Sequence, residues 1–410
     1  MLIGSRSPRP RLASITAALL SLAVSSYACA DTFAEGISTA FTDGDVALNL
    51  RYRYEFVDQD NKPEDAKAST LRTRLTLKSG KVGGFSGLIE VDNLSYMGSD
   101  DFNNTENGRF DHAVVADPDY TEINQAFISY AFSDKNTATI GRQRINHSGQ
   151  RFLGNVGWRQ NEQTFDAARL QLAPSDRLTI DYSYIWQVNR IFGPDGGDAE
   201  FDGDSHALIA DYKIAEGHKL SAYSYILDLD QSAALSSKTF GLEYKGTLAL
   251  GDTTSLGIHL SAAKQREYGD NTANFSTDYY LGELTAKYKP VSISLGLEVL
   301  GSDNGVSFKT PLATLHKFQG FADKFLVTPA MGIEDSYVKV VSQLGSVKLI
   351  AFYHDFEAET GGANYGSEFD LVAAYKISER YSVMFKYAAY DADDFGSDTD
   401  KAWLMLSAAF

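Results

Sequence analysis

Two short stretches concentrate guanidinium groups. LNLRYRYE at 48–55 carries Arg51 and Arg53, and LRTRLTLK at 71–78 carries Arg72 and Arg74. In extended backbone, residues two apart share a face. Leu48, Leu50, Tyr52 and Tyr54 then form one face of a first strand, and Asn49, Arg51, Arg53 and Glu55 the other. On a second strand Leu71, Leu75 and Leu77 oppose Arg72, Arg74 and Lys78. Hairpin pairing is expected to bring Arg51 near Arg74 and Arg53 near Arg72. Four guanidinium groups on one wall repel each other unless something anionic answers them. Glu90 and Asp92, on the polar parity of the next segment, are candidates. A solute carboxylate is another, because Arg binds carboxylates through paired donors. Arg169 has the polar parity of its own segment. Arg142, Arg144, Arg151 and Arg159 crowd one basic stretch, and the first two share parity with Ile140, which implies a bulge or a place at a polar rim. Two readings follow. The arginines focus anions at a constriction, or they form a structural charge ladder without preference.

Other chemistry is sparse. His147-Ser148-Gly149 is not a nucleophile elbow, and adjacent residues do not readily align a base with a nucleophile, so a hydrolase built on Ser148 and His147 is the weaker alternative. The seven histidines, at 112, 147, 206, 218, 259, 316 and 354, lack metal-ligand spacing. DAEFDG at 198–203 has part of a calcium-loop pattern, but Ile209 stands at the closing Glu position, and a solvated acidic loop is the alternative. There is no glycine-rich phosphate loop. No catalytic residue, metal or cofactor is expected.

The arginines need walls to stand on, and the period-two pattern supplies them. LTIDYSYIWQV sets Leu178, Ile180, Tyr182, Tyr184, Trp186 and Val188 against Asp181, Ser183, Gln187 and Asn189. VSISLGLEV and TFGLEYKG alternate in the same way. The pattern gives about eighteen strands of roughly ten residues, the length that crosses a bilayer when tilted. Starts are expected at residues 45, 68, 84, 120, 135, 164, 177, 204, 218, 237, 254, 277, 291, 335, 346, 366, 380 and 399. Every second link is short, such as SGKVGG, APSD and YKP. The others are longer and mostly acidic. Short turns on one side and long loops on the other predict an all-β, up-and-down transmembrane barrel over 45–410. Tyr280 with Tyr288, Phe369 with Tyr375, and Phe240 with Tyr244 sit where interfacial girdles belong. No helix is expected after the leader.

Residues 1–30 read as a secretory leader: Arg6, Arg9 and Arg11, an apolar run from Leu12 to Val24, then Ala28-Cys29-Ala30. Ser26 argues against a lipoprotein site at Cys29, and cleavage is expected after Ala30. Residues 31–44 would form a short periplasmic segment. The mature chain would hold no cysteine, which excludes disulfides and thiol chemistry. It would carry 34 basic against 54 acidic residues, a net charge of −20. That field excludes nucleic acid as a partner. The mean hydropathy of −0.24 fits a barrel as well as a soluble chain, since alternate residues face the lumen. The final segment, KAWLMLSAAF, alternates up to Phe410. It is expected to close the barrel against the first strand, because an open edge in lipid leaves backbone groups unsatisfied.

Several motifs resemble the alginate export family of outer-membrane porins. They are Gly141-Arg142-Gln143, Arg151-Phe152-Leu153-Gly154, Trp158, the strand start Phe165-Asp166-Ala167-Ala168-Arg169-Leu170, and the loop from Leu315 to Pro329. Gln319 and Phe321 depart from the family, which often has Asn and Trp there. The resemblance implies a barrel of this strand number and facilitated diffusion across a Gram-negative outer membrane. It does not imply alginate as substrate, because the family name covers porins of varied cargo; anionic or polar solutes, sugar acids (alginate-like uronates) or oligosaccharides, are expected here, with small organic acids as the alternative. Phe410 resembles the terminal signal read by barrel-assembly machinery. Lipid and lipopolysaccharide around a monomer are the other partners implied.

The longest link, 302–334, is rich in apolar residues: Phe308, Leu312, Leu315, Phe318, Phe321, Phe325 and Leu326. Exposed to water they would form a large apolar patch. The loop is therefore expected to fold inward. Leu315, Phe318 and Phe321 have the spacing of one or two helical turns, and His316, Lys317, Asp323 and Lys324 would border the pore.

Overall fold

Alternation becomes geometry because each strand meets lipid on one side and the lumen on the other. The computed structural model describes Gly36 and residues 38–197 and 199–410. The expected leader and its cleavage site lie outside these residues, as does Asp198 of the acidic stretch. Among the described residues twenty strands run in chain order. They are β1 (Asp45–Gln59), β2 (Ala66–Lys78), β3 (Phe85–Asp101), β4 (Tyr120–Ser133), β5 (Asn136–Gln143), β6 (Thr164–Ser175), β7 (Leu178–Asn189), β8 (Glu200–Ala215), β9 (His218–Leu227), β10 (Ser237–Ala249), β11 (Thr254–Glu267), β12 (Ser276–Tyr288), β13 (Val291–Leu300), β14 (Ser302–Asp303), β15 (Val306–Ser307), β16 (Ile333–Leu344), β17 (Val347–Glu357), β18 (Asn364–Lys376), β19 (Tyr381–Ala392) and β20 (Thr399–Ala409). β14 and β15 form a separate ribbon. The other eighteen make one antiparallel sheet, each paired to its chain neighbours, and β1 pairs with β20 from Asn49↔Ala409 to Gln59↔Thr399. Closure leaves no edge to satisfy.

The outward face is apolar. Leu75, Leu77, Ile128, Leu242, Leu284, Leu295, Tyr353 and Leu404 are all exposed. The girdle residues Tyr280, Tyr288, Phe369, Tyr375 and Phe240 are exposed with them. Such a band is stable only against lipid. Phe410 exchanges backbone hydrogen bonds with Leu48, and its ring packs edge-on to Tyr381.

The apolar core lies inside the barrel. Ile145, Leu153, Phe308, Leu312 and Phe325, all from links, are buried with the strand residues Phe165, Tyr279, Phe356 and Trp403. Two links, 144–163 and 301–332, thus pack against the inner wall.

Three local features differ from the sequence reading. Residues 38–42 are helical and rest on the turn after β2, where the Gly80 amide donates to the Ala40 carbonyl. The long link contains only one 3-10 turn, Leu315–Lys317. Left-handed backbone at Gln319, Gly320 and Asp323 stops a longer helix. β2 starts at Ala66, two residues before its expected start, and this shifts the register described below.

Candidate functional site

The inner wall of β1 and β2 holds the arginine ladder, in a register of its own. Arg51 faces Arg72, Arg74 faces Asn49, and Arg53 faces Thr70. The expected pairings are displaced because the two extra residues, Ala66 and Lys67, join the ladder. Arg51 against Arg72 is a like-charge pair and needs an answer. The link 144–163 provides it by lying across the wall. Arg51 donates to the Gly157 carbonyl at 2.9 Å, to Gln160 Oε1 at 2.8 Å and to the Arg159 carbonyl. Arg53 donates to the Trp158 carbonyl, lies 4.3 Å from the Trp158 ring centre, and is 3.6 Å from Asp117. Arg74 grips Asp92 at 2.7 Å and pairs with Glu90 and Glu162. Arg72 donates to Asn49 Oδ1 at 2.7 Å.

Glu90 and Glu162 are the hubs. A bulge in β4 opposite Glu90 aims both Asn124 and Gln125 at its carboxylate. Glu162 accepts from Arg144 and from Asn155, the latter at 2.7 Å. Burial alone would raise the Glu162 carboxyl, but the Arg144 and Arg74 guanidiniums outweigh it and hold it at about 2. Arg159 spans Glu55, Asp117 and Asp323 at 3.3, 3.7 and 3.4 Å. Arg51, Arg53, Arg72 and Arg159 are consequently buried, Arg53 completely. They clamp a loop and do not line an open passage.

Arg144 joins this cluster because the chain has left β5 before it, so parity no longer applies. Arg142 does not join. It pairs with Asp166 at 2.8 Å, on the parity of the lipid-facing Ile140. Arg169 faces inward and binds Asp181 at 2.9 Å.

The long link docks onto the inner wall of β18, β19 and β20 and onto the first loop. Gly154 N–H donates to the Leu312 carbonyl, and Thr314 N–H to that of Gln150. Arg151 reaches Glu298 at 2.7 Å, Thr310 and Gln319, and lies 4.7 Å from the Phe318 ring centre. His316 stacks on Trp158 at 4.4 Å between centroids and on Phe321 at 5.4 Å. Its Nε2 accepts from Lys386 Nζ at 2.6 Å, so its Nδ1 carries the proton toward Asp323 Oδ1, also at 2.6 Å. Burial, outweighing Asp323, holds this imidazole well below its ordinary value. Asp323 is itself pushed up by burial but held well below the usual range by His316, Lys401 and Arg159. His316 is 6 % exposed and does not border open solvent. Lys324 donates to Thr399 Oγ1 at 2.8 Å, and burial lowers it to about 8.

Cations without a carboxylate remain at the tip where the loops meet. Lys317 is exposed and donates to the Gly149 carbonyl at 2.9 Å. Lys339 points inward from β16, over the Phe352 ring at 5.4 Å. Among the described residues neither has an acidic partner within 4 Å. Lys245 lies beside them, 2.8 Å from Ser148 Oγ and 2.8 Å from Glu243. Burial, then Lys245 and Lys339, lower the Lys317 ammonium. Paired charges cancel in the far field and unpaired ones do not, so Lys317 and Lys339 add positive potential at the tip.

Ser148 Oγ is held by Glu243 and Lys245, while the nearest acid to His147 is Asp181 at 3.7 Å; the two do not form a nucleophile–base pair. Among the described residues no His, Cys, Asp or Glu cluster is arranged to hold a metal ion. Sequence reasoning missed Asp117, Gln160 and Glu162, which sit in irregular backbone. Lys339 had a usable signal: it shares the inward parity of Asp335 and Tyr337.

The sequence model of the family described as Alginate export matches residues 43–281. No curated protein matches. Among solved structures, Pseudomonas aeruginosa OccK3 (OpdO) superposes with a TM-score of 0.71 at 16% identity, covering 92% of this chain and 98% of its own. Acinetobacter baumannii OccAB4 gives 0.69 at 14% identity, covering 90% and 98%. P. aeruginosa OpdK, solved with vanillate, gives 0.73 at 15% identity, covering 90% and 99%. At such identities the likeness is one of fold.

Proposed function

The chain belongs to the alginate export family, outer-membrane barrels of Gram-negative bacteria, and on that premise we propose that it is a porin passing small anionic solutes by facilitated diffusion. The observation that carries this reading is the pair Lys317, at the tip of the docked long link, and Lys339, pointing inward from β16 beside it, cations without a carboxylate partner in a chain that is acidic overall. A cation held at a constriction without a counter-charge attracts anions and lets them leave again, since no bidentate clamp is formed. The arginines contribute by fixing the loops. A single chain closes the barrel, so a monomer suffices.

Small organic acids and single sugar acids fit better than long polymers, because two loops occupy the lumen. OpdK was solved with vanillate, a carboxylate, which favours the same class. The test is liposome swelling with the purified, reconstituted protein. Potassium gluconate should enter faster than a neutral polyol of similar size. Equal rates, or faster entry of the neutral compound, would sink the anionic reading.

A further inference from the structure

On the lipid side, the rim that carries the long loops is uneven in charge. Strand residues of outward parity beside those loops include Asp58 on β1, Glu334 on β16, Asp355 on β17, Asp391 on β19 and Asp400 on β20. Lys67 and Arg142, also outward, are paired with Asp65 at 3.7 Å and Asp166 at 2.8 Å. β10 and β11 reverse the sign. Lys238, Lys264 and Arg266 share the outward parity of the exposed Phe240 and Leu260. Lys238 stands directly opposite Arg266, and Lys264 lies one step below, opposite Phe240.

Like charges directly opposite in a sheet are destabilising unless an anion answers them. Among the described residues neither Lys238 nor Arg266 has a carboxylate within 4 Å, and Arg266 donates to Ser276 Oγ at 3.3 Å. Lys264 is bound to Asp278 at 2.8 Å. Glu267 has the inward parity and accepts the Phe275 amide at 3.2 Å. Directly below the cations a groove of about 450 Å³ runs along the outer wall, lined by Phe240, Leu242, Ala262, Lys264, Asp278 and Tyr280. Phe240, Leu242 and Tyr280 are each more than half exposed, and Ala262, opposite Tyr280, is too small to fill the space between them. An apolar groove in the lipid-facing wall thus ends, at the outer-leaflet side, in two unanswered cations. That order matches an amphiphile with acyl chains and an anionic head. Arg binds phosphate oxygens through paired donors and Lys as a point charge. The phosphate-bearing amphiphile of this leaflet is lipopolysaccharide.

We infer that the outward face of β10–β12, at its extracellular end, docks one lipopolysaccharide molecule, with a phosphate on Lys238 and Arg266 and an acyl chain in the groove between Phe240 and Tyr280. The contact lies outside the lumen and does not depend on which solute the pore passes. A free phosphate would use the cations and leave the groove empty, which separates the lipid from a plain anion contact.

The experiment uses the purified full-length porin in neutral detergent and native mass spectrometry. Bis-phosphorylated lipid A, its dephosphorylated form and phosphatidylglycerol are titrated in turn, and inorganic phosphate is tested as a competitor. Lipid A should bind about tenfold more tightly than either other lipid. Tenfold corresponds to about 1.4 kcal/mol, within what two cations at a membrane surface supply. Lys238→Gln combined with Arg266→Gln should remove that advantage, and Lys238→Arg should keep it. Lys238→Gln alone, the milder change, should cost about threefold, half of that free energy. Phe240→Ala should weaken both forms of lipid A alike. Migration before and after boiling reports that each variant is a folded barrel. Equal binding of the two lipid A forms, phosphatidylglycerol bound as tightly as lipid A, or an advantage that survives in both Gln variants overturns the site. Displacement of lipid A by inorganic phosphate at equal concentration, or an unchanged Phe240→Ala protein, overturns the assignment to a lipid.

Discussion

Replacing Glu162 with Gln removes the charge that answers Arg74 and Arg144 inside the barrel. Its worth follows from two routes. A carboxyl held at about 2 against an ordinary 4.5 contributes about 3 kcal/mol at neutral pH, at 1.36 kcal/mol per pKa unit. Removing one partner of a buried ion pair costs about 3–5 kcal/mol, and Glu90, which remains beside both arginines, keeps the value at the low end. The strand ladders do not depend on Glu162, so the loss falls on the docking of 144–163. About 3 kcal/mol raises the undocked fraction of that loop roughly a hundredfold. Arg151 and Arg159 are buried when the loop is docked, which makes them sensitive reporters. Trypsin cutting at either residue should speed up by about two orders of magnitude at pH 7, because slow cleavage tracks the open population. Because the folded value lies below the unfolded one, the stabilisation is present above 4.5 and fades as pH falls toward 2. The wild type should therefore acquire the variant's behaviour only in acid, as larger and noisier single-channel currents. A Glu162→Gln protein cut within about threefold of the wild-type rate would refute the claim that this carboxylate holds the loop.

Asp323→Ala leaves Lys401, Arg159 and the His316 Nδ1–H without their shared carboxylate, at a cost of about 3–5 kcal/mol. Trp158, stacked on His316, should then show red-shifted emission; an unchanged spectrum would count against the stacked arrangement. Lys324, lowered to about 8 by burial, is charged below that value and neutral above it. Anion preference should therefore weaken between pH 7 and pH 9, and Lys324→Gln should flatten that dependence.

The barrel was almost wholly legible because lipid enforces alternation on every strand. All eighteen barrel strands begin within four residues of the expected positions. The largest discrepancy is at β8, which begins at Glu200 in an acidic, glycine-containing stretch without an apolar face. The start of β2 was obscure for a related reason: Ala66 and Ala68 are too small to mark a face, and the two-residue error displaced the arginine register. Site chemistry was legible only where it obeyed a period. Arg51, Arg53, Arg72 and Arg74 declared their side, but not that a loop would cover them. Asp117, Gln160 and Glu162 lie in irregular backbone, where no pattern tells which wall a side chain will reach. The pairing of His316 with Lys386 and Trp403 joins positions far apart in the chain, and no local pattern carries it.

The central claim is that two lysines without a carboxylate partner, Lys317 at the loop tip and Lys339 on the β16 wall beside it, select the solute while the buried arginines hold the loops. Reversal potential across a KCl gradient tests it most directly. The wild type should prefer chloride despite its acidic composition, and Lys317→Gln combined with Lys339→Gln should lose most of that preference with conductance still measurable. A wild type that prefers potassium, or a double variant whose reversal potential equals that of the wild type, would contradict it.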